Sequence, residues 1–338
     1  MELKQPNMGR SLPVPCVQDL AKKPLTNVPP QYIRADQESP FICNADLAAN
    51  VPVIDMSKLL SADFMDSELH KFHHACKEWG FFQLINHGVS NSLIEKMKVE
   101  IPNFFNLPME EKKKYWQQPG DIQGFGQAFV VSEEQKLDWA DIDTLESYSA
   151  ELRNLALKIL YQMAKALKMD PNDIKDLFEE GVQIMRMNYY PPCPQPKLVM
   201  GLTPHSDAGG LTILLQINEM DGLQIKKDGL WVPIKALPDA FIINIGDALE
   251  IVTNGSYPSI EHRATINSEK ERISIATFYT PKLDGEIGPA PSLMKPETPG
   301  LFKKITFGDY LKGYLARELH AKSYIDNFRI RNEDAKRY

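Results

Sequence analysis

Three short stretches in the second half of the chain carry residues whose types and spacing could do chemistry: His205-Ser206-Asp207, His262 and Arg272-Ile273-Ser274. Successive side chains of an extended chain alternate faces, so positions i and i+2 project together. If the chain is extended at 205–207, the imidazole and the carboxylate reach one point. A third ligand on a neighbouring strand would complete two histidines and one carboxylate around a metal, and His262, 57 residues downstream, is the candidate. That set leaves coordination positions open, which suits Fe(II) chemistry with a cosubstrate and O2, although a zinc hydrolase could use the same three groups. Taken alone the His-x-acid pair carries little weight: seven histidines and 45 acids in 338 residues give about one by chance.

The same period of two puts the Arg272 guanidinium and the Ser274 hydroxyl on one face, with Ile273 and Ile275 on the other. A fork of donors beside a hydroxyl suits a carboxylate held bidentately. No other arginine in the chain has serine two residues on. An ordinary strand-end histidine and a surface ion pair are the plainer readings of His262 and Arg272 singly. The order His-x-Asp, His, Arg-x-Ser within 70 residues is much less probable than any member, and a zinc hydrolase would leave the carboxylate clamp unexplained.

These groups need strands to hold them. After Gly181, eight short β-rich runs alternate with Gly, Pro, Asn and Asp: VQIMRMNYY, LTILLQI, LQIKK, WVPI, FIINI, EIVT, EHRATI and RISIATFY. They predict an antiparallel sandwich or barrel. Upstream, Val51 to Asp55 and Phe81 to Asn86 read as strands, and Asp63 to Trp79 as a helix stopped by Gly80. Another helix starts at Ser90, and Ser147 to Lys168 shows an apolar stripe through Leu152, Leu155, Ile159, Met163 and Leu167. The fold class is α+β, a jelly-roll core with N-terminal helices packed around it. Its parts are an arm over 1–50, a helical and strand region over 51–180, the core over 181–300, and a C-terminal helix and tail over 301–338.

Composition narrows the function classes. Lys+Arg 38 against Asp+Glu 45 gives a net charge of −7, which argues against a dedicated nucleic-acid binder and against an anionic membrane partner. The start MELKQPNMGRSLPVPC has no apolar signal core, and no apolar run approaches the ~20 residues that span a bilayer. Cys16, Cys43, Cys76 and Cys193 show no paired spacing and read as reduced thiols of a cytoplasmic protein. Nothing demands more than a monomer acting on a small molecule.

As whole stretches, not only as spacings, the sequence resembles the plant 2-oxoglutarate- and Fe(II)-dependent dioxygenases. The matching segments include ACKEWGFFQLINHGV, MRMNYYPPCPQP, GLTPHSDAGGLTILLQ, GLQIKKDGLWVPIKALPDAFIINIGDALEIVTNG and SIEHRATINSEKERISIATFY. The resemblance runs from about residue 13 to 330 and is strongest to the senescence-related subgroup, which includes the poppy thebaine and codeine O-demethylases. It implies a double-stranded β-helix in which His205, Asp207 and His262 bind Fe(II). Arg272 and Ser274 would hold the distal carboxylate of 2-oxoglutarate, with Asn188 and Tyr190 completing that pocket. It also implies O2 as cosubstrate, ascorbate as reductant, and C–H hydroxylation or oxidative O-demethylation of an alkaloid- or flavonoid-type metabolite, with release of succinate and CO2.

One segment departs from that pattern. Trp139-Ala140-Asp141 is followed by only Ile142-Asp143 before Thr144-Leu145-Glu146, shorter than the family by roughly two dozen residues, a span long enough for a strand and a functional loop. Three readings stay open: a segment omitted from the chain as given, a variant with a reshaped pocket, or a chain too open to catalyse. The last makes a non-catalytic binding protein the alternative function. Other features read as structural: His70, His73 and His74 on a helix, the solvated run Glu110 to Lys114, Cys193 in a Pro-rich turn, and Asp247 in a turn. Gly124-Phe125-Gly126 is no dinucleotide fingerprint, and Phe125, Phe129, Phe278 and Phe328 could line a pocket or simply fill the core.

Overall fold

Hydrophobic runs with a period of two and amphipathic stretches with a period of 3.6 give strands and helices that share one sheet as a common wall. The computed structural model describes residues 14–22, 25–34, 51–116, 141–143, 149–319 and 321–330. In chain order the helices are α1 (Val17–Ala21), α2 (Met56–Leu59), α3 (Met65–His74), α4 (Asn91–Phe105), α5 (Met109–Lys112), α6 (Ser149–Leu167), α7 (Pro171–Phe178), α8 (Asp247–Val252) and α9 (Phe307–Leu315). The strands that matter are β1 (Val53–Asp55), β2 (Phe81–Ile85), β3 (Asp141–Asp143), β4 (Gln183–Tyr190), β5 (Leu202–His205), β6 (Leu211–Gln216), β7 (Leu223–Lys227), β8 (Leu230–Pro233), β9 (Phe241–Ile245), β10 (His262–Ala264) and β11 (Arg272–Tyr279).

Seven strands form one sheet in the order β1-β2-β9-β6-β11-β4-β3, and four form a second in the order β5-β10-β7-β8. Only the β1–β2 pair within these sheets is parallel. One face of the larger sheet meets the helices: Phe82, Leu84, Ile213, Ile243, Ile275 and Met187 join α6 residues Leu152, Leu155, Ile159 and Met163 in a single buried cluster. The opposite face supplies Phe81, Leu214, Ile242 and Ala276 to a second cluster, shared with Leu223, Ile225 and Val232 of the smaller sheet. Alternation along each strand thus divides the larger sheet between a helix layer and an inter-sheet layer.

The α6 stripe lies where its spacing predicts. The helix expected over 63–79 is in two parts, α3 and a wider π turn over Ala75–Trp79, ended by Gly80 at φ +58. A Cβ at Gly80 would lie 2.3 Å from the Pro258 carbonyl oxygen, so glycine answers both the left-handed backbone and the close approach.

Two expectations need correction. EIVT is not a strand: Glu250, Ile251 and Val252 lie in α8, a helix buried on every side, where burial of all faces removes the periodicity that would have marked it. The run Glu110 to Lys114 is solvated except for Lys112, which is fully buried and donates to the Gln18 side-chain oxygen and, at 3.1 Å, to the Phe105 carbonyl. That lysine ties the N-terminal stretch to the body, and Val17, Val28 and Tyr32 pack there against Cys193 and Val199. Among the described residues no helix is long and apolar enough to cross a membrane, and Cys76 and Cys193 are free thiols. Burial pushes the Cys76 and Cys193 thiols up, away from the reactive thiolate. Cys43, Gly124 to Gly126, Phe125, Phe129, His320 and the stretches 139–140 and 144–146 lie outside the described residues.

Candidate active site

His205 closes β5 and His262 opens β10, and the two are cross-strand partners in an antiparallel ladder. Their rings lie 4.3 Å apart, and Phe81 of β2 packs edge-on against His262 at 5.4 Å. Asp207 is not on a strand, because β5 ends at His205. Its carboxylate still faces both rings: Oδ1 is 3.5 Å from His205 Nε2 and 3.7 Å from His262 Nε2. One ligand atom from each of the three residues falls within 4.8 Å of the others, the one such buried cluster among the described residues.

The rings are pre-oriented. Nδ1 of His205 is 2.7 Å from the Thr203 carbonyl and Nδ1 of His262 is 3.0 Å from the Ile260 carbonyl. A carbonyl can only accept, so each Nδ1 carries a proton and each Nε2 is the ring nitrogen left facing Asp207. Asp207 Oδ2 accepts from Thr212 Oγ1 at 2.6 Å and Asn244 Nδ2 at 2.7 Å, leaving Oδ1 for the space between the imidazoles. Burial alone would raise the Asp207 pKa, but His262, His205 and Thr212 together hold it well below the usual carboxylate range. Burial, reinforced by His205, takes His262 down to about 4. At neutral pH the group is therefore one carboxylate with a neutral His262, and the His262–Asp207 contact is not an ion pair. Two Nε2 atoms and one anionic oxygen, fixed by carbonyls and donors behind them, fit a divalent transition metal with open positions.

Beside this cluster, Arg272 and Ser274 of β11 lie directly across from Tyr190 and Asn188 of β4. All four side chains line the cleft that also exposes His205, Asp207 and His262. The Arg272 guanidinium sits 5.3 Å from the Tyr190 ring centre and donates weakly to Ser274 Oγ at 3.4 Å. Burial lowers its pKa while Tyr190 and Asp221 offset that effect. Among the described residues, Arg272 Nε and Asn188 Oδ1 are buried without a hydrogen-bond partner. Buried polar atoms seldom stay unmatched, so a cation and amide left this way inside a cleft fit an anionic ligand such as a carboxylate.

All seven residues singled out in the sequence thus fall in one cleft. Sequence reasoning missed Thr212, Asn244 and Arg186, which line the same space. A signal was present: each is a polar residue inside an apolar run, and each shares parity with the inward positions of its strand. Thr212 and Asn244 are also cross-strand partners. Of the other candidates, Phe278 lines the cleft, whereas Phe328 packs against Tyr310 and Tyr324. His73 pairs with the Tyr257 hydroxyl at 2.8 Å, and His70 and His74 are exposed. Asp247 is not in a turn; it begins α8 and is fully buried.

Residues 181–281 match the family model of the 2OG-Fe(II) oxygenase superfamily, and residues 51–159 match that of the non-haem dioxygenase in morphine synthesis N-terminal region. The chain belongs to the 2OG-Fe(II) oxygenase superfamily. It is 54% identical to the oxoglutarate-dependent flavonoid 7-O-demethylase 1 of Ocimum basilicum, covering 96% of this chain and 93% of that protein. It is 48% identical to the thebaine 6-O-demethylase of Papaver somniferum, covering 96% and 98%. A crystal structure of JOX2 in complex with 2OG, Fe and JA superposes with a TM-score of 0.86 at 32% identity, over 96% of this chain and all of that one. This oxygenase is a 2-oxoglutarate- and Fe(II)-dependent enzyme of the group that contains plant demethylases. The Ocimum alignment spans 350 positions but 96% of 338 residues is roughly 324, so about two dozen positions hold residues that this oxygenase lacks.

Proposed function

We propose that His205, Asp207 and His262 hold Fe(II) through the two Nε2 atoms and the carboxylate. Arg272 and Ser274, with Asn188 and Tyr190, grip the distal carboxylate of 2-oxoglutarate. The substrate is a small plant metabolite of flavonoid or alkaloid type, oxidised by C–H hydroxylation or O-demethylation. The two sheets form a double-stranded β-helix around this site, within the division into an arm over 1–50, a region over 51–180, a core over 181–300 and a C-terminal part over 301–338. Ascorbate serves as reductant, and the enzyme acts as a cytoplasmic monomer.

One observation carries the reading: a buried arginine with an unmatched Nε faces the cleft beside a metal-ligand set that leaves positions open. A zinc hydrolase needs no such clamp. With iron, 2-oxoglutarate and O2 bound, the site supplies an oxidation that yields succinate and CO2 and places a hydroxyl on a substrate carbon; on an O-methyl carbon the hemiacetal releases formaldehyde and leaves a free hydroxyl. The chain's own groups orient the ligands, keep His262 neutral and anchor the cosubstrate. The relatives named as flavonoid and thebaine demethylases support an O-methylated aromatic substrate.

A second reading, a binding protein without turnover, draws on the shortened stretch. The retained residues of that stretch form β3 at the sheet edge, paired with Met187, Asn188 and Tyr189. Anaerobic titration with Fe(II) and 2-oxoglutarate, followed by the visible charge-transfer band, tests the site. The band is expected in the wild type, lost in His205→Ala, and to need much more 2-oxoglutarate in Arg272→Ala. Absence of the band from folded wild type overturns the oxygenase site. A band without succinate release across a panel of O-methylated flavones and methoxylated alkaloids favours the binding protein.

A further inference from the structure

His205 sits on an open edge, since β5 has β10 as its one strand neighbour among the described residues, and Ser206 and Asp207 follow outside any strand. Edge and irregular backbone opens more easily than the interior of a sheet, which makes it a poor mount for two ligands of one metal unless something restrains it. Three restraints act on consecutive parts of this segment, and each comes from outside its strand partner. The Ala321 amide donates to the Pro204 carbonyl at 2.9 Å, and Ala321 forms a bridge with His205 along the free edge. The Tyr314 hydroxyl, on α9, donates to the Ser206 carbonyl at 2.7 Å. The Asp247 amide donates to the Asp207 carbonyl at 2.7 Å, and the Asp247 carboxylate is itself held by the Tyr310 hydroxyl at 2.8 Å.

The C-terminal stretch, which supplies the Ala321 and Tyr314 donors, is fastened in turn. Glu250 of α8, only 2% exposed, takes Lys322 Nζ at 2.5 Å on one oxygen and Arg329 Nη2 at 2.6 Å on the other. Lys322 also donates to the Ser259 carbonyl at 2.7 Å. Ala321, next to this anchor, has φ +49, a left-handed conformation that a residue with a Cβ keeps only where its surroundings over-determine it. Burial keeps the Tyr314 phenol protonated, so its hydroxyl is a permanent donor.

We propose that α9 from Tyr310 onward and the segment from Ala321 to Arg329 act as a brace that positions His205 and Asp207 for the metal, with the Tyr314 hydroxyl and the Ala321 amide as its positioning groups. The proposal rests on the metal-binding reading of the triad. None of these bonds reaches Arg272, Ser274, Asn188 or Tyr190, so the brace governs metal affinity and leaves cosubstrate affinity alone.

The test is titration of the metal-free protein with Fe(II) under anaerobic conditions, with Co(II) as a spectroscopic probe of ligand geometry. Tyr314→Phe removes one donor while keeping the ring, and is expected to weaken metal binding roughly tenfold, the low end for partners that orient metal ligands. Its Co(II) spectrum shifts, and 2-oxoglutarate affinity at saturating metal stays at the wild-type value. Ala321→Pro, which lacks the amide hydrogen and cannot take a positive φ, gives the same pattern independently. Thr306→Ala serves as control. It loosens α9 at its N-cap, where Thr306 accepts from the Asp309 amide at 3.3 Å, without touching the three carbonyls. It should lower thermal stability and leave metal affinity unchanged. Wild-type affinity in both Tyr314→Phe and Ala321→Pro, or an equal loss in Thr306→Ala, overturns the brace alone. Failure of the wild type to bind either metal overturns the metal reading, and the brace with it.

Discussion

The two faces of the seven-stranded sheet are made by the same strands and differ in the polar groups they bury. Toward the helices the strands present Phe82, Met187, Ile213, Ile243 and Ile275, all buried and apolar. Toward the smaller sheet, besides the apolar Phe81, Leu214, Ile242 and Ala276 of the inter-sheet cluster, the alternate positions present Arg186, Asn188, Thr212, Asn244, Arg272 and Ser274, equally buried and polar. Burial is therefore not what separates them. On the helix side each group finds its partner in van der Waals contact; on the inner side each needs a hydrogen bond, a neighbouring charge or a ligand, because an unmatched buried polar group is costly. The helix face serves packing alone, while the inner face adds the polar groups of the cleft to its own apolar cluster, one residue apart along each strand.

The largest effect expected comes from breaking the inner side at its centre. Asp207→Ala leaves Thr212 and Asn244 as donors with no acceptor and removes the one anionic ligand. Iron affinity and succinate release should fall beyond the 10–100-fold typical of changes behind the ligands, read by anaerobic Fe(II) titration and by product analysis on protein whose circular dichroism is native. Retained tight Fe(II) binding would mean that the triad is not the metal site.

Strand β11 allows the sharpest contrast, because Arg272 and Ile275 lie three residues apart on opposite faces. Arg272→Ala should raise the 2-oxoglutarate requirement on the order of 100-fold, since truncating one partner of a buried charged pair costs about 2–5 kcal/mol. The ligand-free variant should be at least as stable as wild type, because the desolvation of an unsatisfied cation is relieved. Ile275→Ala should do the reverse, losing about 2–5 kcal/mol of stability to a core cavity with cosubstrate affinity intact. Urea unfolding and 2-oxoglutarate titration on the two variants give the four numbers. Similar profiles for both would abolish the distinction between the faces.

How much of this was legible in the sequence follows from the same alternation. Arg272 and Ser274 could be read because they interrupt an apolar run with a period of two, while Asn188 and Tyr190 came only with the family resemblance; the structure sets the four in cross-strand pairs. Thr212 and Asn244 obey the same rule, but a single small polar residue in an apolar run does not by itself say what it faces; only the pairing of β6 with β9 shows that both aim at one carboxylate oxygen. Helix α8 was misread because a helix buried all round has no polar face to set its period. The C-terminal donors to Pro204 and Ser206 were invisible for a different reason. They act on backbone carbonyls, which leave no trace in residue type, across more than a hundred positions of chain. The pleat accounts for only part of the triad, since Asp207 is aimed by backbone bonds past the strand end.

A smaller effect is expected at Thr212. Thr212→Val keeps the shape and deletes one of the two donors to Asp207 Oδ2. Iron binding should weaken roughly tenfold and the metal-free protein should lose about 1–3 kcal/mol. Ile213→Val, one residue along on the helix face, should cost about 0.5–1.5 kcal/mol of stability and leave iron affinity at the wild-type value. Calorimetric metal titration separates the two.

The smallest net effect lies in the pH dependence of the metal-free protein, where two buried groups oppose each other. Folding takes His262 from its ordinary 6.5 down to about 4, so between those values the unfolded chain binds the extra proton and stability falls as pH falls. Asp247 goes the other way: burial raises it from 3.8 to about 6 against the hydrogen bonds of Ser259 and Tyr310, so the folded chain binds the extra proton and stability rises as pH falls through that window. Each contribution is about 3 kcal/mol at full extent, and from pH 6 to 4 they nearly cancel. Asp247→Asn should uncover the His262 loss, so that stability declines steadily from pH 6.5 to 4 where the wild type stays almost level. Urea unfolding at half-unit pH steps reads the difference. Parallel curves would show that the two buried groups are not the opposed pair their surroundings make them, and that the pH response of the inner side lies elsewhere.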